Sequence, residues 1–361
     1  MRRRYERSSQ ARPIMKDERL QRILILRFSS IGDIILTTPL IRAVRARFPE
    51  ARLDFVTKRE FSELLDTNPR LNTVYAYDTR SGSRGLRHLA RELRHAHYTL
   101  CIDLHHSLRS RYLRALLHAP RVVSISKQIL ARTLLVSTGL NFYTKPLLQI
   151  PERYLLPLAP FGVRPDDKGP ELFPSEEQYA KIRRILKEEH AGPETLLIGF
   201  GPIAAHPLKQ WPLEKFAELG RRLIHDYQAR IVIFGAPSEQ QAGEKLAGQL
   251  SHKPILLSGR LSLLESAAAL KSCALFVGND SSGVHMASAM QTPLVALFGP
   301  TVEEFGFSPY RVPSQVISVP LSCRPCTHTG KGRCRNPEQH ACMKRIRVQD
   351  VEHAVAALLG Q

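Results

Sequence analysis

The sequence contains no run approaching the roughly 20 continuous apolar residues that a membrane-spanning helix needs, which excludes an integral helical span. The first 22 residues are rich in Arg and have no apolar core region, so they read as a disordered basic tail, neither signal peptide nor anchor. Acidic residues are scarce. Asp and Glu number 33 against 52 Lys and Arg, a formal net charge of +19. Such a field draws anionic partners, whether nucleic acid, acidic lipid headgroups or phosphorylated glycans. The charge concentrates in the tail and in residues 80–121, which hold nine Arg, six His and only two acids, Glu92 and Asp103. No aromatic-rich patch of the kind that stacks single-stranded bases accompanies it, so nucleic acid is not expected as a partner. The Gly/Ser turn at 278–283 also lacks the Lys of a phosphate-binding P-loop and the GxGxxG of a dinucleotide fold. Cysteine is sparse at six, and without an export signal this argues for a reducing compartment. Cys101 and Cys273 lie inside apolar segments and read as core residues.

What is present is a strand–helix alternation, repeated in two halves. A length of 361 residues suits two domains of about 150 residues each. In the first half, apolar runs predict strands at 22–27, 52–56, 73–77 and 99–104. A helical pattern follows the turn at 28–32 and reaches about Phe48. Thr38-Pro39 within it reads as an N-cap followed by Pro at the first helical position, where the helix restarts. Leu86, Leu89 and Leu93 share one face of a helix whose other face carries Arg84, Arg87, Arg91 and Arg94. Another helix is expected from 107 to 118. Residues 146–175 hold seven prolines and read as the linker. Strands then recur at 195–200, 230–234, 255–257, 274–277 and 294–298. The expected fold class is α/β, with two facing, Rossmann-like, doubly wound parallel-sheet domains and a cleft between them. The expected boundaries are a tail at 1–21, domains at 22–165 and 166–345, and a helix at 346–361 that crosses back to the first half.

Residues 278–287, Gly-Asn-Asp-Ser-Ser-Gly-Val-His-Met-Ala, stand between an apolar strand and a small-residue helix. A strand, a Gly/Ser turn and a helix N-terminus together make an anion site, for which a diphosphate is the usual guest. The turns at 28–32, 201–210, 234–238 and 278–283 all follow strand carboxyl ends, where open α/β sheets bind their ligands.

These motifs, taken in order, resemble glycosyltransferase family 9, the ADP-heptose:lipopolysaccharide heptosyltransferases, from about Arg22 to Leu359. The first domain carries Ser30-Ile31-Gly32-Asp33, Thr37-Thr38-Pro39, and Asp103-Leu104-His105-His106-Ser107-Leu108-Arg109-Ser110. The second carries Lys209-Gln210-Trp211-Pro212, Gly235-Ala236-Pro237-Ser238-Glu239, the 278–287 turn, and Phe298-Gly299-Pro300-Thr301. The resemblance implies a GT-B fold, an ADP-L-glycero-D-manno-heptose donor and an anionic lipopolysaccharide inner-core acceptor bearing 3-deoxy-octulosonate or heptose. It also implies transfer with inversion, no cofactor for catalysis, and a cytoplasmic enzyme peripheral on the inner membrane. The alternatives are a related ADP-sugar transferase acting on another glycan or a protein, and a non-catalytic nucleotide-sugar binder.

By the same resemblance Asp33 is the base for the acceptor hydroxyl, and Lys209 neutralises the leaving phosphate. The plainer readings are a helix-start Asp stabilised by the macrodipole and a solvated Lys. Glu239, Asp280, Ser281, Ser282, Gly283 and His285 are expected at the donor. For Asp280 the competing role is a helix N-cap, for Glu239 a solvated helix-start residue, for His285 a packed core histidine. Ser30, Gly32, His105 and Arg109 are expected at the acceptor, with Arg84–Arg94, Arg111 and Arg114 facing acceptor phosphates or anionic lipid. Family members often carry Ser or Thr shortly before the Lys, where this chain has Ala204 and Ala205. Cys323, Cys326, Cys334 and Cys342 have the spacing C-x2-C-x7-C-x7-C and make a candidate structural zinc or iron site.

Overall fold

A computed structural model describes residues 20–126 and 128–360. The tail expected at 1–21 therefore lies outside the described residues up to 19, while Leu20 is buried and already belongs to the fold. The chain divides into two compact units, one of residues up to 126 with 148–173, the other of 128–147 with 174–360.

The first unit is built on five parallel strands, β1 (Arg22–Leu26), β2 (Arg52–Lys58), β3 (Thr73–Tyr77), β4 (Leu100–Asp103) and β5 (Val122–Ser124), in the order β3-β2-β1-β4-β5. Ile23, Leu24, Ile25 and Leu26 of β1 are all fully buried. A central parallel strand is covered on both faces, which is why its sequence is continuously apolar rather than alternating. The helix Gly82–His95 buries Leu86, Leu89, Ala90 and Leu93 and leaves its arginines in solvent, as its spacing predicts. The helix after β1 does restart, as Ile31–Ile35 and then Thr38–Arg47, although the N-cap is Thr37 and Pro39 stands one place further in.

The second unit has six parallel strands, β6 (Leu197–Gly201), β7 (Arg230–Ile233), β8 (Ile255–Leu256), β9 (Leu275–Asn279), β10 (Leu294–Phe298) and β11 (Ser314–Ser318), ordered β11-β10-β9-β6-β7-β8. In both sheets the first strand has later strands on either side. The order therefore reverses between β1 and β4 in one unit and between β6 and β9 in the other. At such a reversal the connections leave in opposite directions, opening a crevice at the strand carboxyl ends.

The proline-rich linker differs from expectation. Residues 148–173 pack in the first unit, through the helix Ile150–Leu155 and a 3-10 stretch, Leu156–Phe161. Buried Arg42 requires anionic partners, and it finds Asp166 and Glu171 together with the carbonyls of Lys168 and Gly169. Prolines interrupt the helical pattern there, but these bonds hold the segment. The last helix, Val348–Leu359, belongs to the second unit. Val348, Val351, Ala354 and Val355 make a stripe buried in the second unit's core with Phe216, Leu219 and Trp211.

Candidate active site

Asp33 lies in the first turn of the helix Ile31–Ile35, beyond the carboxyl end of β1. Its Oδ1 meets the Arg27 guanidinium at 2.6 Å, and its Oδ2 accepts from the Ser30 backbone N–H (3.1 Å) and hydroxyl (2.9 Å). Burial pushes the Asp33 carboxyl up, but Arg27 and then the two Ser30 donors outweigh it and hold the pKa below the ordinary carboxylate value. Asp33 is thus ionised at neutral pH, and each oxygen keeps a lone pair for another donor. Arg27 is itself fixed, donating to the Leu104 carbonyl and lying 5.9 Å from the Tyr154 ring centre. The sequence reading did not single out Arg27, because a basic residue ending an apolar strand has no distinguishing spacing.

On the other side of the reversal, Asp103 ends β4 fully buried. It accepts from the backbone N–H groups of His105 (3.0 Å) and His106 (2.7 Å) and from the Ser110 hydroxyl (2.9 Å). The motif's Asp and Ser are therefore the two ends of one turn. That turn presents His105 edge-on to Phe28 at 5.5 Å, and Arg109 spreads over Phe28 and Tyr77 at 5.7 and 5.5 Å. Ser30, Gly32, His105 and Arg109 thus gather with Asp33 along the carboxyl ends of β1 and β4.

In the second unit Asn279, the last residue of β9, staples the segment that follows β6. Its side chain accepts from the Trp211 N–H (3.0 Å) and donates to the Pro202 carbonyl (2.8 Å). Trp211 is buried against Phe216 and donates its indole N–H to the Ile346 carbonyl. These bonds place Lys209, whose ammonium reaches Asp280 Oδ2 at 2.6 Å, while the Thr301 hydroxyl donates to the same oxygen at 2.7 Å. Asp280 is not the helix N-cap. That position is Ser281, and Ser282 and Gly283 open the helix Ser282–Ala289. Gly278 and Gly283 flank the Phe276 ring, which an added Cβ would meet at 2.6 and 3.0 Å, so here glycine makes room for an aromatic ring.

A loop far along the chain closes on Lys209. Gly330 has φ +90°, and a Cβ there would stand 2.9 Å from the Lys209 side chain and 3.0 Å from His206. Thr327 holds the loop by accepting from the N–H groups of Thr329 and Gly330. Burial, then Lys209 and Lys331, lower the His206 pKa; burial, then Arg132 and Lys209, lower that of His328. His206 and His328 therefore both lie near Lys209, with Lys331 near the first and Arg132 near the second. An ammonium has three protons, so Lys209 can serve Asp280 and an incoming phosphate together. Sequence reading missed His206, Lys331 and Arg132, whose separations of up to 199 residues leave only the Gly330-Lys331 pair as a local signal.

Glu239 lies in the turn after β7, where its Oε2 accepts from the Ala236 N–H at 2.8 Å. His285 is buried, with its ring 6.2 Å from that of Phe307. All four C-terminal cysteines are free thiols. Cys323 accepts from the Asn336 amide and Cys334 from the His340 N–H. Burial and then the other thiols push Cys342 up to about 11 and Cys326 upward. The influence of Cys323, Cys326 and Cys334 on Cys342 places the four thiols near one another, while among the described residues no three His, Cys, Asp or Glu side chains stand in a metal-holding arrangement.

The family model for glycosyltransferase family 9 (heptosyltransferase) matches residues 86–334. The chain belongs to glycosyltransferase family 9. It is 28% identical to lipopolysaccharide heptosyltransferase 2 of Salmonella typhimurium over 79% of this chain and 84% of that protein. Two solved structures share its fold: a family 9 glycosyltransferase from Veillonella parvula (TM-score 0.78, 24% identity, 94% of this chain and 97% of that one) and ADP-heptose lipopolysaccharide heptosyltransferase II of E. coli (TM-score 0.73, 24% identity, 94% and 99%). The expected two-domain parallel α/β fold of the GT-B heptosyltransferases is thus the observed one. The protein is a heptosyltransferase-type glycosyltransferase, and its relatives act in lipopolysaccharide core assembly.

Proposed function

We propose that the protein transfers a heptose from ADP-L-glycero-D-manno-heptose to the inner core of lipopolysaccharide, with inversion, at the inner face of the cytoplasmic membrane. The acceptor hydroxyl forms the new bond to the anomeric carbon as the bond from that carbon to the diphosphate breaks. Asp33 takes the hydroxyl proton, and its depressed pKa keeps it ionised and ready. Arg27 and Ser30 hold the carboxylate in one orientation. Lys209 receives the charge of the departing ADP, aided by Lys331 and the N–H groups opening the helix Ser282–Ala289. Asp280 accepts from a sugar hydroxyl of the donor while keeping Lys209 in place, and Glu239 accepts from the ribose. Ser281, Ser282 and His285 complete the donor side. Ser30, His105 and Arg109, with the arginine face of Gly82–His95, serve an anionic acceptor.

The observation that carries this reading is the Lys209–Asp280–Thr301 cluster, with His206 and His328 near Lys209, at the sheet reversal between β6 and β9. The test is a panel of sugar nucleotides against truncated core acceptors, following nucleotide release. ADP-heptose should turn over only with a 3-deoxy-octulosonate or heptose acceptor. Turnover of another sugar nucleotide in its place, or transfer to protein alone, contradicts the donor and acceptor assigned here.

A further inference from the structure

Every large hydrophobic side chain left exposed among the described residues falls between Leu108 and Phe142. That stretch lies inside a longer one, residues 104–151, that contains no Asp or Glu but seven Lys or Arg. Neither the transfer chemistry nor the cores of the two units account for this coincidence.

The second-unit part of it, residues 128–147, has a definite construction. In the helix Ile129–Thr138 only Leu135 is buried, and it anchors the helix. Ile129, Leu130 and Leu134 are 55%, 80% and 37% exposed, the last two one turn apart on the same face. The hydroxyls of Ser137 and Thr138 donate to the carbonyls of Thr133 and Leu134, so they are satisfied within the helix and do not require water. Gly139, at φ +76°, then turns the chain. Beyond it the residues alternate. Asn141 donates to Glu304 and Tyr143 packs edge-on against Phe305, while Leu140 and Phe142 are left 56% and 60% exposed. A segment that ties down its polar residues and holds its apolar ones out is organised to bury them against something outside the chain.

The charge decides what that is. A second copy paired symmetrically would set this acid-free stretch, with Arg132 and Lys145, against itself. An anionic bilayer instead offers hydrocarbon to the aliphatic and aromatic groups and phosphate to the cations, the two signals that together hold a peripheral protein. We propose that the helix Ile129–Thr138 and the turn through Phe142 insert their apolar side chains into the headgroup region of an anionic bilayer, with Lys145 at the phosphate level. This deepens the membrane-surface reading above by naming the element that makes the contact.

The full chain is sedimented with vesicles of phosphatidylglycerol and phosphatidylethanolamine, and separately with phosphatidylcholine alone. Binding should favour the anionic vesicles. Combining Leu130→Ser, Leu134→Ser and Phe142→Ser should weaken it by about 10-fold or more, with the melting temperature unchanged because Leu135 is retained. In a second measurement Leu130→Trp should show a blue-shifted emission on binding anionic vesicles, above the constant signal of buried Trp211. Equal binding to neutral vesicles, unaltered binding by the triple variant, or an unshifted Trp overturns the proposal. So does a triple variant that loses only self-association in sedimentation velocity, which gives the face to a second copy. No sugar donor or acceptor is present in these assays, so their failure leaves the transfer reading standing.

Discussion

Replacing Asp33 by Asn separates a catalytic carboxylate from a structural one. Asp33 and Arg27 have side chains 19% and 11% exposed. Breaking a fully buried ion pair costs about 3–5 kcal/mol. Here Asn keeps one oxygen for Ser30 or Arg27, and some water reaches the pair, so the expected loss is about 1–3 kcal/mol. At about 2–4 °C per kcal/mol for a chain segment of this size, the melting temperature should fall by several degrees and the protein should remain folded. On the proposed assignment donor binding rests on a different core, in the second unit, so the calorimetric Kd for ADP should stay within about 2-fold of wild type. If Asp33 accepts the acceptor's proton, kcat should fall by about 100- to 10,000-fold. Adding Arg27→Met to the variant removes the orphaned guanidinium and should recover part of the stability, but none of the activity. A kcat within about 10-fold of wild type, alongside the expected melting shift, would show that Asp33 only clamps Arg27 and that the base lies elsewhere.

Lys209→Met should raise the Kd for ADP by about 10-fold, by calorimetry, since it removes a charge-assisted contact and leaves the Asp280 carboxylate facing the diphosphate; unchanged affinity would mean that Lys209 only neutralises Asp280. Asn279→Ala removes both bonds of the staple between β9 and residues 202–211 and should cost about 1–3 kcal/mol in denaturant melts, with weaker ADP binding; a stability change below about 0.5 kcal/mol would show that Trp211 packing alone holds that segment. Asp33 also gives a signed pH effect. Its folded pKa is lowered, so its stabilisation is fully present above the unfolded value of about 3.9 and is lost as pH falls through the lower folded value. The stability gap between wild type and Asp33→Asn should therefore narrow in that acid window and be constant from pH 5 to 7; a gap that widens on acidification contradicts the ion pair.

Much of the fold was legible because its central strands are covered on both faces. β1, β9 and β10 must be apolar at every position, and such runs between Gly-rich turns stand out in a sequence. β5 and β11 escaped notice because they lie at sheet edges and are short or half-exposed, with Val122 and Ser314 carrying weak signals. The prolines of 146–175 read as a linker, since they break helical periodicity; nothing local shows that Arg42, more than a hundred residues earlier, binds Asp166 and Glu171 there. Asp33, Lys209 and Asp280 could be picked out through ordered motifs. Their partnerships could not, since the Arg27 clamp, the Lys209–Asp280 contact and the approach of Gly330 are made by tertiary packing. The C-x2-C spacing marks the cysteines in the sequence, but not the bonds that Cys323 and Cys334 accept from the Asn336 amide and the His340 N–H.

The claim on which the rest depends is a direct displacement assisted by the Asp33 carboxylate. The anomeric configuration of the new glycosidic bond, read by NMR on product formed from ADP-heptose and a core acceptor, tests it without intermediaries. One displacement should give the configuration opposite to the donor's. A product that retains the donor's configuration would require a different route at that carbon, and the role given to Asp33 would be withdrawn.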